Sequence, residues 1–213
     1  MPVVTISRQF GAGGHTLGQA VAAHLGYQLV DRDIVAQVAK EANVSGKWAD
    51  AVETDTGGLL AGLVSRVMSE SSIERSFGES VSEFDEKKYL PLIKQVITKV
   101  AAEGDAVLVG RGSQFILPDS EQTIKVLLVA ELEDRIRFMM TNYNLTRAKA
   151  EPLVRKEEKR RIAFLKLFDK RNPDEAGLYS LVINTSRQSL KEAESLILGL
   201  VGLVADEYAR PIW

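Results

Sequence analysis

S-R-Q-F-G-A-G-G-H-T-L-G, Ser7 to Gly18, is the stretch that decides how this chain folds. It follows a short apolar run, Val3–Ile6, and precedes Leu17, Val21 and Leu25, spaced as one face of a helix. The order is strand, glycine-rich turn, helix. Glycine adopts backbone angles that other residues avoid and lets a ligand approach the main chain. The first turn of a helix has free N–H groups and a partial positive charge, so the combination is suited to cradling a phosphate.

The turn resembles the phosphate-binding loop of nucleoside and nucleotide kinases, whose pattern is G-x-x-x-x-G-K-[ST]. Laid on it, Gly13 takes the last glycine, Gly14 stands where lysine is expected, and Arg8 falls on the first glycine. His15 and Thr16 follow, so the hydroxyl arrives one place late. The expected phosphate-binding set is Arg8, Gly11, Ala12, Gly13, Gly14, His15 and Thr16. Arg8 or His15 would supply the charge of the missing lysine. Arg8 is the better candidate, because histidine is mostly neutral at pH 7. The competing reading is a βα turn whose glycines merely let helix and sheet pack.

Composition narrows the alternatives. The length of 213 residues fits one domain with small inserted parts. A formal net charge of −2 implies no bulk attraction to nucleic acid or membrane. The absence of cysteine excludes disulfides, thiolate metal sites and a cysteine nucleophile. Two histidines leave little for a zinc site or a Ser-His-Asp triad. No signal sequence or membrane-length apolar stretch is read at the sequence level, so a cytoplasmic location is expected.

Along the chain, Met1–Ile6 reads as a strand buried on both faces, central in a parallel sheet. The next helix stops near Gly26, and Tyr27–Val30 is a second strand followed by Asp31-Arg32-Asp33. Ligands of open α/β sheets sit outside the carboxyl ends of strands. There Asp31 and Asp33 suit a hydrated Mg²⁺ or an acceptor's hydroxyls, while capping of a helix starting at Ile34 explains them equally well. Residues 44–88, rich in Ser, Gly, Glu and Asp with Gly57-Gly58 as a hinge, read as a mostly helical insertion on the acceptor side.

Leu90–Ala101 has the spacing of a helix against a sheet, and Ala106–Val109 is a buried strand with Gly110-Arg111-Gly112 at its tip. Arg111 there is placed either to grip an anion or to form a surface ion pair; the strand-end position favours the anion. Ile124–Val129 is a further strand. Arg135 and Arg137, in the helix after it, face a nucleotide or pair with nearby glutamates. Thr146–Phe168 is helical and basic, with Pro152 as a kink or a fresh start, and Arg155, Glu158 and Arg161 fall on one face at steps of three. Leu178–Asn184 is a last strand, and Leu190 to Tyr208 repeats as a closing helix. Five strands alternating with helices from a glycine-rich loop make a three-layer α/β fold with a five-stranded parallel sheet.

The resemblance extends beyond the loop. A-V-L-V-G-R-G-S-Q-F-I-L-P-D-S (residues 106–120), then I-K-V-L-L-V-A and D-R-I-R-F, looks like the middle of bacterial cytidylate kinases. Arg155…Glu158…Arg161 resembles that family's lid R-x-x-D-x-x-R, and Asn184-Thr185-Ser186 resembles its aspartate-threonine turn. The S-R-Q-F-G-A-G-G loop with D-R-D after strand two is similar to a divergent branch, the cytidylate kinase-like proteins. Three positions depart from the cytidylate kinase pattern: Gly14 for lysine, Gly112 for the strand-end aspartate and Glu158 for the lid aspartate. Asp31-x-Asp33 also resembles shikimate kinase, where such a pair binds metal and acceptor.

What the resemblance implies is a P-loop kinase-like domain with its core at 1–43, 89–141 and 178–213, the insertion at 44–88 and an arginine-rich lid at 142–177. It implies ATP and Mg²⁺, with Thr16 and Asp31 as metal-binding residues and Arg155, Arg160 and Arg161 as catalytic lid arginines. Asp31, Arg32, Asp33 and Arg111 would hold the acceptor. The expected activity is phosphoryl transfer to a nucleoside monophosphate, first CMP or dCMP. A kinase of a small hydroxylated metabolite and a nucleotide-binding regulator without kinase activity are the alternatives. Nucleotide substrates are the expected partners, with no nucleic acid and no membrane; a homodimer is left open.

Overall fold

The computed structural model describes residues 2–31 and 90–209. Arg32, Asp33, the helix expected from Ile34 and the expected insertion at 44–88 lie outside the described residues.

Five strands form one sheet: β1 (Val3–Arg8), β2 (Gln28–Val30), β3 (Ala106–Val109), β4 (Thr123–Val129) and β5 (Leu181–Asn184). Their order is β2-β3-β1-β4-β5, and every pairing is parallel. β1 is central, as a strand of Val-Val-Thr-Ile buried along its length must be to pair on both edges. It aligns Ile6 with Val109 on one side and Arg8 with Leu128 on the other. All five carboxyl ends therefore open on one edge of the sheet, where loops 9–13, 110–112, 130–131 and 185–189 meet.

The helices are α1 (Gly14–Leu25), α2 (Leu90–Glu103), the short α3 (Ser113–Ile116), α4 (Leu132–Tyr143), α5 (Arg147–Leu165) and α6 (Leu190–Ala209). Alternation along the strands sorts them into two outer layers. Val4, Ile6, Val107, Val109, Val126 and Leu128 face the buried stripes of α1 and α6, including Leu17, Val21, Ala193 and Ile197. Val3, Ala106 and Leu108 face α2 through Leu92, Ile93, Val96, Ile97 and Val100. Phe164 and Leu165, at the end of α5, are buried in this second cluster. A third, smaller cluster joins α4 to α5 through Ile136, Met139, Ala150 and Val154, with Phe10 packed against it.

Some bounds differ from the sequence reading. α5 runs continuously through Pro152, with no new start. The last strand begins at Leu181, because Ala176–Leu178 turns into a 3-10 helix first. α3 is too short to show as periodicity. It forms because Gly112, with φ 74°, redirects the chain so that the amides of Phe115 and Ile116 donate to its carbonyl.

Candidate active site

β1 delivers Arg8 to the sheet edge, and the chain then turns through Gly11 (φ 88°) and Gly13 (φ 82°) into α1. Gly13 caps α1 in a left-handed conformation without a side-chain cap. A capping side chain would have engaged the first helical amides. Here the N–H groups of Gly13, Gly14, His15 and Thr16 make no hydrogen bond among the described residues, whereas Leu17 N donates to Gly13 O at 2.9 Å. Thr185, in the turn after β5, braces the loop from below: its hydroxyl donates to Ala12 O at 3.3 Å, and its amide is held by Val129 O at 2.8 Å.

Position 14 explains itself sterically. A Cβ on Gly14 would lie 2.6 Å from Arg8 Cγ and 2.9 Å from Arg8 Cβ and Cδ. Farther out, a Cβ on Gly110 would lie 2.0 Å from Arg8 Nη1. The Arg8 side chain thus crosses the start of α1 and lays its guanidinium on the loop after β3. It forms no ion pair or hydrogen bond with another described residue. Burial first, and then the guanidiniums of Arg111 and Arg161, push Arg8 down to about 10, with Asp31 and Glu158 opposing. Three cations therefore gather at the mouth of the glycine turn.

Arg111 owes its position to three successive left-handed residues, Gly110 (φ 76°), Arg111 (φ 56°) and Gly112 (φ 74°). That conformation is uncommon for a residue with a Cβ and typically costs about 1–2 kcal/mol. It stacks the guanidinium over the Phe164 ring at 4.6 Å, and Phe164 meets Phe168 edge-on at 5.2 Å. The Phe168 ring fills the space beside Gly112, 2.7 Å from where a Cβ would stand. The strand-end aspartate of the cytidylate kinase pattern has no room in this arrangement.

Helix α5 touches the loop through Glu158, and Asp174 beyond it does the same. Glu158 Oε2 accepts from Phe10 N at 2.7 Å and from Arg135 Nη1 at 3.5 Å. Its Oε1 accepts from Arg161 Nε at 3.0 Å and Nη2 at 2.7 Å. Arg161 Nη2 also donates to Asp174 Oδ1 at 2.7 Å, and Gln9 Nε2 donates to Asp174 Oδ2 at 3.0 Å. Burial works against the charge on Arg161, but the bonds to Glu158 and Asp174 outweigh it and raise its pKa. Arg161 Nη1 is buried with no partner. An unmet buried guanidinium N–H is costly, and an anionic ligand oxygen would satisfy it.

The other expected site residues fall as follows. Arg155 is exposed and pairs with Glu151 at 3.0 Å, one turn back on its own helix. Arg160 is half-buried and lies 4.0 Å from Glu157. Of the three lid arginines, the structure brings only Arg161 to the loop. Arg137 pairs with Asp134 on the surface, whereas Arg135 is buried beside Phe10 and Glu158. Asp31 is buried at the end of β2 with His15 Nδ1 3.4 Å from its carboxylate. Thr16 is exposed, and its hydroxyl is a hydrogen-bond partner of the Tyr143 hydroxyl. Among the described residues no group of three or more His, Asp or Glu could hold a metal by itself, and no helix is long and apolar enough to cross a membrane.

Sequence reasoning missed four contributors. Gln9 ties the loop to both β4 and the lid: its Oε1 accepts from Ala130 N at 3.0 Å while its Nε2 holds Asp174. Asp174 and Tyr179 lie in an irregular segment with no period to read. Tyr179 is hydrogen-bonded to Pro173 O and faces buried Ser7 and Gln114. Phe164 looked like any core aromatic. Glu158 was visible through its spacing, but its bond to the loop amide was not.

A solved structure of an uncharacterized protein from Eubacterium ventriosum matches with a TM-score of 0.65 at 17% identity, covering 95% of this chain and 99% of that one, and shows the fold alone. A shikimate kinase from Acinetobacter baumannii in complex with shikimate (TM-score 0.46, 15% identity, 94% and 93% covered) and a gluconokinase from Sinorhizobium meliloti (0.48, 14%, 97% and 95%) also match. At those scores neither adds to the assignment. No curated protein matches the sequence. The sequence profile described as the cytidylate kinase-like family matches residues 3–187, and the chain belongs to that family.

Proposed function

We propose that this protein transfers the γ-phosphoryl group of ATP to a phosphorylated acceptor, with a nucleoside monophosphate as the acceptor class and CMP or dCMP as the first substrates to test. The observation that carries the reading is the Arg8 side chain lying across Gly14 at the start of α1, with Arg111 and Arg161 close enough to act on its charge and Arg161 Nη1 buried and unmet. A surface that merely packs a helix on a sheet has no reason to gather three guanidiniums; a polyphosphate does.

In this reading the amides of residues 13–16 and the Arg8 guanidinium hold the β- and γ-phosphates. Arg111 grips the acceptor's phosphate, together with Arg32 beyond the described residues. An acceptor phosphate oxygen attacks the γ-phosphorus, the bond to the β–γ bridging oxygen breaks, and ADP leaves with those electrons. Arg161 donates to the migrating group, and Glu158 and Asp174 hold its fork in place. Phosphoryl transfer asks the protein for this alignment and charge neutralisation more than for covalent chemistry. Mg²⁺ would neutralise charge on the β- and γ-oxygens. Asp31 and the Thr16 hydroxyl supply one carboxylate and one neutral oxygen, a donor set compatible with Mg²⁺ shared with substrate phosphates. Arg155 and Arg160, expected beside Arg161, are paired along the helix surface and serve in this reading as solvated charges. The lid we propose, residues 142–177, has its far end anchored in the core through Phe164 and Leu165.

One observation favours a different acceptor. Gly112 with Phe168 against it leaves no room for the strand-end carboxylate of the cytidylate kinase pattern. A hydroxylated metabolite therefore stays the second reading. An ADP-release screen with ATP-Mg²⁺ against CMP, dCMP, UMP, AMP and small hydroxylated acids tests both. Release with CMP or dCMP well above the ATP-only background is the expected result. Release only with a non-nucleotide supports the second reading. No acceptor-dependent release, with ATP still bound, leaves a nucleotide-binding regulator.

A further inference from the structure

We propose that this loop carries its phosphate-binding cation at position 8 instead of position 14, and that the exchange is reciprocal: Arg8 occupies the room a lysine at 14 would need, so position 14 must be glycine. The inference rests on the phosphate-binding reading above and specifies how that site recognises a triphosphate tail.

In the standard pattern the first position is glycine and the residue after the second glycine carries the ammonium. Here the two residue classes have changed places, Arg8 for the glycine and Gly14 for the lysine. The structure supplies the reason they must change together. A Cβ at 14 would meet Arg8 Cβ at 2.9 Å, and no rotamer change moves a Cβ. Gly14 itself is the first residue of α1, and the three atoms nearest to a Cβ there all belong to Arg8. The same side chain passes over Gly110, where a Cβ would lie 2.0 Å from Nη1. Gly14 and Gly110 thus form a channel along which the arginine stem reaches from the end of β1 to the strand edge.

A merely structural arginine would be expected to find a carboxylate. Glu158 is near, but its oxygens are taken by Phe10 N, Arg135 and Arg161. The Arg8 guanidinium is buried, feels the charges of Arg111 and Arg161 against it and of Asp31 and Glu158 for it, and pairs directly with neither carboxylate, an environment that a bound anion would stabilise. Arginine at this place also differs in kind from the lysine. Its planar fork can meet two phosphate oxygens at once, whereas an ammonium acts as a point charge.

The test uses titration calorimetry with ATP-Mg²⁺ and with inorganic tripolyphosphate on the full chain. Variants are R8Q, which keeps most of the stem without the charge, G14K, R8G and R8G/G14K, each checked by thermal melting. R8Q is expected to weaken both probes about 10- to 100-fold, the range for losing one or two charge-assisted hydrogen bonds. G14K alone is expected to bind no better than wild type and to melt lower. Removing Arg8 as well should restore both melting temperature and affinity, to within roughly tenfold of wild type. Unchanged binding by R8Q overturns the assignment of the cation. Losses from R8G and G14K that simply multiply in the double variant overturn the reciprocity. Wild type that binds neither probe overturns this inference and the kinase reading together. Intact binding with no acceptor-dependent ADP release overturns only the kinase reading.

Discussion

Arg161→Ala is expected to lower kcat on the order of 10³-fold, while the dissociation constant for ATP rises by less than about tenfold. The reason is geometric. Arg161 approaches the loop from α5, and one of its terminal nitrogens is buried with no partner. That nitrogen gains its partner only when a phosphoryl oxygen arrives, and most when charge spreads over the migrating group. If, as proposed, the α1 amides and Arg8 hold ground-state ATP, binding should suffer less. The substitution also removes a partner from Glu158 and Asp174, so a purely structural effect must be separated. Glu158 keeps Phe10 N and Arg135, and Asp174 keeps Gln9, which limits the damage to the loop. Arg161→Lys serves as the comparison: it keeps the charge and loses the fork, and should recover stability before it recovers turnover. Steady-state kinetics with direct ATP titration decide the matter. Small, equal losses in kcat and in ATP affinity would make Arg161 a strut.

The second large effect concerns Gly112. Introducing the aspartate of the cytidylate kinase pattern, Gly112→Asp, is expected to destabilise the fold by about 2–4 kcal/mol, from a left-handed backbone and from overpacking. For a chain of this size that corresponds to a fall in melting temperature of roughly 5–15 °C. The overpacking part arises because the new Cβ would meet the Phe168 ring at 2.7–2.9 Å. Gly112→Asp/Phe168→Ala should therefore melt higher than the sum of the two single changes predicts. The backbone part should remain, since φ at 112 is unchanged by trimming a ring. Strict additivity in thermal melts would show that Phe168 does not shape this turn. If the double variant also gains acceptor-dependent turnover with CMP, the missing carboxylate was what limited cytosine recognition.

Much of the architecture follows from local pattern. Val3–Ile6, Ala106–Val109 and Ile124–Val129 are apolar on both faces, and only a central parallel strand buries both faces. The apolar stripes of α1, α2 and α6 carry the 3.6-residue period, and the glycines at 11, 13 and 26 mark turns that need left-handed backbone. Arg8 and Arg111 were also legible, because a charged residue at the carboxyl end of a core strand has few places to go except the ligand edge. The lid was legible only in part. Steps of three suggested that Arg155, Glu158 and Arg161 share a face, yet each step of three residues falls short of a 3.6-residue turn and drifts around the axis, and Arg155 ends on Glu151 instead.

By itself, then, the amino-acid order determined a glycine turn between a buried strand and a helix, the alternation of strands and helices and the cations at the strand ends, because each depends on neighbours only a few residues away. Tertiary structure alone decided which cations meet. Arg8 lying across Gly14 and Gly110, Glu158 on the Phe10 amide, Asp174 on Gln9, and Phe168 beside Gly112 join residues up to 165 positions apart. Such contacts are settled by packing, where one Cβ of space determines whether a side chain fits, and no local period encodes that.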